Sequence, residues 1–285
     1  MKARRLQRQL ARKQQKSKKR PAKLQLAKFV RRKNRAIRRA KPVRKLGRGP
    51  VIHDERNFQL GKYMAIPTPP ASVDWYSAIA KWNPLGNLRI GNCTVVDVAH
   101  YIQAATMASK QKAAQVRYQA VIRAYSAVSG YNPSTGANDR GASLLAVMRR
   151  WRKVGVGIHK AKAFMAVDWT NANQVKAAIH LFGGIHVGLA LPDATLNLFD
   201  TPEVVWDVNG PPNPANGHAV PILGYDANGN FRFPSWGAMY AMTTAFLQTY
   251  CEEAYVVWTP QDWIKDGQAP NGLNTAALEQ DLAEL

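Results

Sequence analysis

Residues 86–109 read GNLRIGNCTVVDVAHYIQAATMAS, and this stretch decides how the rest of the chain is organised. Beyond Gly91 and Asn92, apolar Val95, Val96, Ala99, Ile102, Ala105 and Ala108 recur at spacings of three and four, the period of a helix with a buried face. Asn92 is the expected N-cap, which puts Cys93 in the first turn. There the free backbone N–H groups and the helix dipole favour the thiolate, the nucleophilic form of the side chain. Taken on this segment alone, a lone cysteine ordinarily reads as a small core residue.

A second segment changes that balance. Residues 216–233, NGHAVPILGYDANGNFRF, predict a strand over His218–Tyr225, a turn at Asp226–Gly229 and a second strand from Asn230. His218 opens the first strand just after Gly217, where its ring can face a cleft. His100, His159, His180 and His186 read as satisfied surface or core residues. Cys251, within MTTAFLQTYCEEAYVVW (242–258), falls in a helix-like stretch and reads as core. Two cysteines are too few for a disulfide scaffold, and spacing does not say whether they pair. No CxxC or paired Cys/His cluster suggests a zinc site, and no cofactor or metal is expected.

Gly91-X-Cys93 at a helix start, Gly217-His-Ala-Val far downstream and then Ser235-Trp-Gly resemble the papain-like cysteine peptidases. The resemblance extends to NPSTGANDRGASLLAVMRRWRKVGVGI (132–158), similar to the Gly-rich loop and helix lining that family's substrate cleft. It includes DWTNANQVKAAIHLFGGIHVGLAL (168–191), similar to a short helix leading into the first strand of the β-rich lobe, and AYVVW (254–258) as a closing strand. It covers about Trp75 to Trp258 and implies an α+β, two-lobe fold. A helical lobe would carry Cys93 on its central helix, and an antiparallel, barrel-like lobe would carry His218.

By the same resemblance Cys93 is the nucleophile and His218 its partner, with the Cys93 N–H and Asn87 as oxyanion donors. Asn87 stands where the family has Gln, one methylene longer. The residue before Ser-Trp-Gly is the family's His-orienting Asn; here it is Pro234, which has no side-chain donor or acceptor. Ser235, Asn230 or a backbone carbonyl is left to hold the imidazole, while Trp236 shields the site. Thr94 replaces the Trp that usually follows the cysteine. The implied activity is peptide-bond hydrolysis. These departures keep open a catalytically weak or inactive papain-fold binding module, and another kind of Cys–His enzyme.

Charge divides the chain. Of its 40 Lys+Arg, 22 lie in residues 1–50, which hold no Asp or Glu; the other 18 balance the 18 acidic residues beyond. The formal charge of +22 therefore belongs to an arm, expected to be disordered when free or to form short helices on a polyanion. Phosphate contacts to nucleic acid are its expected use, with another anionic partner or a passive tail as alternatives. Phe29 is its only aromatic, so base stacking is not indicated. With Pro42, Gly47, Gly49 and Pro50 marking the exit, residues 1–50 read as the arm and 51–74 as a linker including a mature-like N-terminal segment (MAIPTPP, then SVDWY at 72–76). Residues 75–265 read as the domain and 266–285 as a tail.

No inhibitory propeptide is recognised before the body: residues 51–70 are too few, and the arm lacks the acidic and aromatic pattern expected of one. No apolar run approaches a membrane span, and no apolar segment follows the basic start as in a secretory signal. An intracellular or particle-associated protein acting on protein or peptide substrates is the expectation. Oligomeric state is open.

Overall fold

The computed structural model of the chain describes residues 44–272, so the expectations for the arm before residue 44 and for the tail from residue 273 lie outside the described residues. The described residues belong to one unit beginning at Val43.

The structure is α+β in two lobes. The helical lobe holds α2 (Cys93–Lys110), α3 (Tyr118–Ser129) and α4 (Leu144–Lys153), preceded by the short α1 (Leu60–Tyr63). Of α2's 18 residues only Met107, Ala108 and Lys110 escape burial, because it is packed on nearly every side. Its buried polar side chains are paired except Thr94, whose Oγ1 has no partner among the described residues. Asp97 accepts from His186 Nδ1 at 2.8 Å, both fully buried, and Thr106 bonds the Ile102 carbonyl at 2.7 Å.

The β-rich lobe consists of two sheets. β2 (Ala163–Ala166), β3 (Ile185–Ala190), β5 (Gly217–Ile222) and β9 (Cys251–Trp258) form one, ordered β2-β9-β3-β5 and antiparallel throughout. β1 (Val73–Asp74), β4 (Val205–Trp206), β6 (Gly224–Tyr225), β7 (Phe231–Ser235) and β8 (Ala238–Met242) form the other, ordered β1-β6-β7-β8-β4. Only β4–β8 is parallel, and neither sheet closes into a barrel. α5 (Ala172–Phe182) leads into β3, α6 (Thr244–Tyr250) leads into β9, and α7 (Pro260–Trp263) packs back on α2.

Three local expectations need correction. The strand expected over His218–Tyr225 is two strands, because the chain leaves the first sheet at Leu223 to join the second; Leu223 N–H already bonds Arg232 O at 2.9 Å. Cys251 is not helical. α6 ends at Tyr250, and Cys251 opens β9, whose residues 254–258 run between β2 and β3 instead of closing an edge. Asn92 holds the N-cap position without capping: its side chain donates to Leu85 O at 3.0 Å and so pins the preceding loop.

Candidate active site

β5 brings His218 to the start of α2. Gly217–Ile222 is an edge strand paired only with β3, which is why Pro221 is tolerated in it. Cys93 is 1 % exposed, and the backbone N–H groups of Ala219 and Thr94 both favour its thiolate. Burial outweighs them and pushes the thiol up to about 12. His218 is fully buried, and burial, with the Arg48 charge nearby, pulls its ring down to about 3. The pair is therefore a neutral thiol and a neutral imidazole. No hydrogen bond joins them, and His218 Nδ1 is without a partner.

The β7–β8 hairpin supplies the rest of the ring's environment. Ser235 pairs with Ala238, leaving a two-residue turn of Trp236 and Gly237 at φ 48° and 91°. Positive φ at both central positions is the turn that matches strand twist, and a tryptophan in that conformation is strained. The turn places Ser235 Oγ 2.9 Å from His218 Nε2 and stacks the Trp236 ring on the imidazole, centroids 4.3 Å apart and planes within 10°. Pro234 sits in β7 opposite Met239. Asn230 is engaged elsewhere, with Asp226. Asn87 is 1 % exposed, and its Nδ2 donates to Ile90 O at 3.0 Å and to Lys45 O at 3.1 Å.

That last contact shows what the sequence did not: residues 44–50, RKLGRGP, lie across the site. Lys45 N–H bonds Asn87 O (3.2 Å), and Lys45 O accepts from both Asn87 Nδ2 and Trp236 Nε1 (3.3 Å). Gly47 and Arg48 N–H both point at Gly217 O, at 3.1 and 2.9 Å. Gly47 O accepts from Ala142 N, and Gly49 N donates to Ala142 O, a parallel bridge between Arg48 and the Gly-rich loop. The approach is closer than side chains permit. A Cβ on Gly47 would lie 2.1 Å from Gly91 O, and one on Gly141 would lie 2.3 Å from Gly47 O. The opposite wall is braced by Asp139, which accepts from Gly91 N and Tyr125 Oη, both at 2.8 Å.

The arm expected to end near residue 50 thus has residues from 44 onward bonded into the body's fold. The missed residues are Lys45, Gly47, Arg48 and Ala142. The one sequence signal for them is Gly47-Arg48-Gly49, an arginine between two glycines in the exit that reads as punctuation.

Cys251 is apart from this constellation; it donates to Glu253 O at 3.3 Å, and both cysteines are free. His100, His159 and His186 are buried and bonded to Asn83 O, Asp262 and Asp97. Half-buried His180 stacks on Trp75. Among the described residues no group of three or more His, Cys, Asp or Glu is placed to hold a metal, and no helix is long and apolar enough to cross a membrane.

The fold is shared with known cysteine proteases. Xylellain, a cysteine protease from Xylella fastidiosa, superposes with a TM-score of 0.57 over 77 % of this chain and 98 % of its own, at 17 % identity. The Amb a 11 cysteine protease, a major ragweed pollen allergen solved in its proform, gives 0.52 at 13 % identity over 70 % of this chain and 68 % of its own. The cysteine protease and lectin-like domains of Cwp84, a surface-layer-associated protein of Clostridium difficile, give 0.54 at 12 % identity over 79 % of this chain and 58 % of theirs. No family model matches the sequence, and no curated protein matches it either.

Proposed function

From a chain with the papain-like two-lobe fold, we propose a cysteine peptidase held in a covered state by its own residues 44–50. One observation carries this reading: the imidazole of His218, bonded to Ser235 and stacked on Trp236, stands on the strand whose next N–H, that of Ala219, favours the Cys93 thiolate at the start of α2. A similar structure solved in its proform gives the covered state a parallel.

On this reading the strap keeps both reacting groups in their neutral forms. Lifting it returns water to the site, lowers the thiol from about 12, raises the imidazole from about 3, and lets the sulfur proton pass to the ring. The thiolate then attacks the substrate carbonyl. The oxyanion takes the Cys93 N–H and the Asn87 Nδ2–H released from Lys45 O. His218 returns its proton to the leaving amine, and water hydrolyses the acyl-enzyme. Ser235 stands in for the orienting Asn as a neutral hydroxyl, and Trp236 shields that bond from water.

A second reading, a papain-fold binding module without turnover, draws on Pro234 and on an Asn87 amide already committed to Ile90 O. To separate the two, the strap is displaced by Gly47→Leu/Arg48→Ala, and both this opened chain and the native one are treated with an epoxide-type thiol inhibitor. Adducts are mapped by mass spectrometry. The peptidase reading expects rapid labelling of Cys93 in the opened chain and its loss in His218→Ala. A Cys93 that reacts no faster than a free thiol in the opened chain sinks it.

The +22 charge, concentrated in residues 1–50, supports polyanion binding by the arm, nucleic acid being the phosphate-rich case. Duplex DNA titrated at two salt concentrations against the full chain and one lacking residues 1–43 tests this. Equal binding by both would refute it.

A further inference from the structure

The deepest contact of the strap is a side chain. Arg48 is 2 % exposed at its side chain and runs beneath β3: its Nε donates to Leu189 O at 3.3 Å and its Nη1 to Gly49 O at 3.3 Å. Nη2 meets the Glu252 carboxylate, and Nη1 lies 3.7 Å from Glu253 Oε1. The pocket exists because residue 188 is glycine. A Cβ there would fall 2.6 Å from Arg48 Cδ and 2.7 Å from Glu253 Cγ.

Glu253 is the residue that needs explaining. Its side chain is 3 % exposed, its Oε1 takes no hydrogen bond, and burial raises its carboxyl to about 7 even with Arg48 beside it. A carboxylate buried this way is costly unless a cation faces it. Among the described residues the cation that faces it is Arg48, and Arg48 comes from the strap. Within its own strand Tyr255 Oη donates to Oε2 at 3.3 Å, while the charge is met by the strap, so this wall is left to whatever replaces the segment.

We propose that the pocket now filled by Arg48 is the substrate-selecting pocket of the opened protein, and that it takes an arginine side chain of a peptide. Its acceptors are spread as a guanidinium spreads its donors: a backbone carbonyl for Nε and two carboxylates for the Nη groups. Lysine, with one point charge, meets only part of that set. Norleucine fits the stem and leaves both carboxylates unpaired. What the bound peptide undergoes rests on the peptidase reading; the preference for arginine belongs to the pocket walls alone.

The test therefore reads binding without turnover. Full-length chain carrying Cys93→Ser with Gly47→Leu/Arg48→Ala is titrated into fluorescein-labelled acetyl-Gly-X-Gly amides, where X is arginine, lysine or norleucine, and anisotropy is followed. Arginine binds about tenfold or more tighter than norleucine, with lysine between. Glu253→Gln removes most of that preference. Glu252→Gln, a change at the pocket rim where the carboxylate is 35 % exposed, lowers it without threatening the core. Equal binding of the arginine and norleucine probes, no binding of any probe, or a preference untouched by either Gln variant overturns the proposal. Restoring Cys93 then reads the other claim: an arginine preference without cleavage leaves the pocket standing and removes the peptidase.

Discussion

Cys93 and Cys251 are both free, both buried and both held as thiols by burial, yet they are buried by different things. Cys251 opens β9 inside a four-stranded sheet, donates to the Glu253 carbonyl, and has no histidine among its hydrogen-bond partners. Cys93 opens a helix and is served by two backbone N–H groups, one of them that of Ala219, the residue after His218. Part of its covering is a segment that crosses Gly91 and Gly217, the residues two before the cysteine and one before the histidine. The first thiol is silenced by the fold itself, and only unfolding frees it. On the proposed reading the second is silenced by a segment that can leave.

The sharpest way to break this comparison is to exchange the two sulfurs' fates. In the opened chain, Cys93→Ala is expected to take peptide hydrolysis to background, a loss of about 10⁴ or more. Cys251→Ala is expected to stay within about twofold, its cost appearing as about 1 kcal/mol of stability in a denaturant melt. Equal losses would erase the distinction. His218→Ala comes next, lowering kcat/KM by about 10²–10⁴, since it removes the base proposed to take the sulfur's proton. Its effect on Cys251 modification is expected to be nil.

Removing the strap is the direct test of the two kinds of burial. Gly47→Leu/Arg48→Ala is expected to raise the rate of Cys93 modification about 100-fold, as its thiol falls from about 12 toward the ordinary value, with Cys251 unchanged. A parallel rise at Cys251 would mean that the variant merely loosens the fold. Ser235→Ala, which deletes the hydroxyl at His218 Nε2, is expected to lower kcat about tenfold with little change in KM, because a ring free to turn is less often in place.

The smallest effect is on pH. Two buried groups pull in opposite directions: burial raises the Glu253 carboxyl to about 7, so the water that enters when the strap lifts lowers that group's proton affinity, and protonating it favours the covered form. His218 acts against it. Its ring sits at about 3 under the strap against an ordinary 6.5, so acid favours the uncovered form that can take the proton. Glu252 is the other carboxylate facing Arg48. In Glu253→Gln, where His218 alone is left to titrate with the strap, hydrogen exchange at the Gly47, Arg48 and Gly49 amides, corrected for intrinsic rate, is expected to speed up several-fold from about pH 8 to about pH 5. In the native chain the opposing Glu253 carboxyl is expected to flatten the curve. A flat curve in Glu253→Gln would contradict the electrostatic account of docking.

What was legible in the sequence was local or carried by resemblance. The three-and-four spacing after Asn92 marks α2; Gly-His-Ala-Val and Ser-Trp-Gly mark the strand and hairpin that meet it. The two-lobe fold followed from their order. The strap was not legible, because a seven-residue segment with no period gains its conformation only from walls distant in sequence. Glu252-Glu253 carries no sequence signal for the same reason, since nothing local shows that one of them turns inward. The break at Leu223 is a choice between two sheets, and the strand period is identical on both sides of it. Cys251 was misplaced because TAFLQTY is a good helix up to the residue before it.

The close packing of Gly47 on Gly91 has a genetic consequence. Any side chain at position 47, or a larger residue at 141, forces the strap out without touching a reacting atom. On the peptidase reading, variation that raises activity should therefore gather at glycines that perform no chemistry, while variation that lowers it gathers at Cys93 and His218. A mutational scan of this chain should show two separate populations of sensitive sites with effects of opposite sign, and the glycines of the strap contact should head the first.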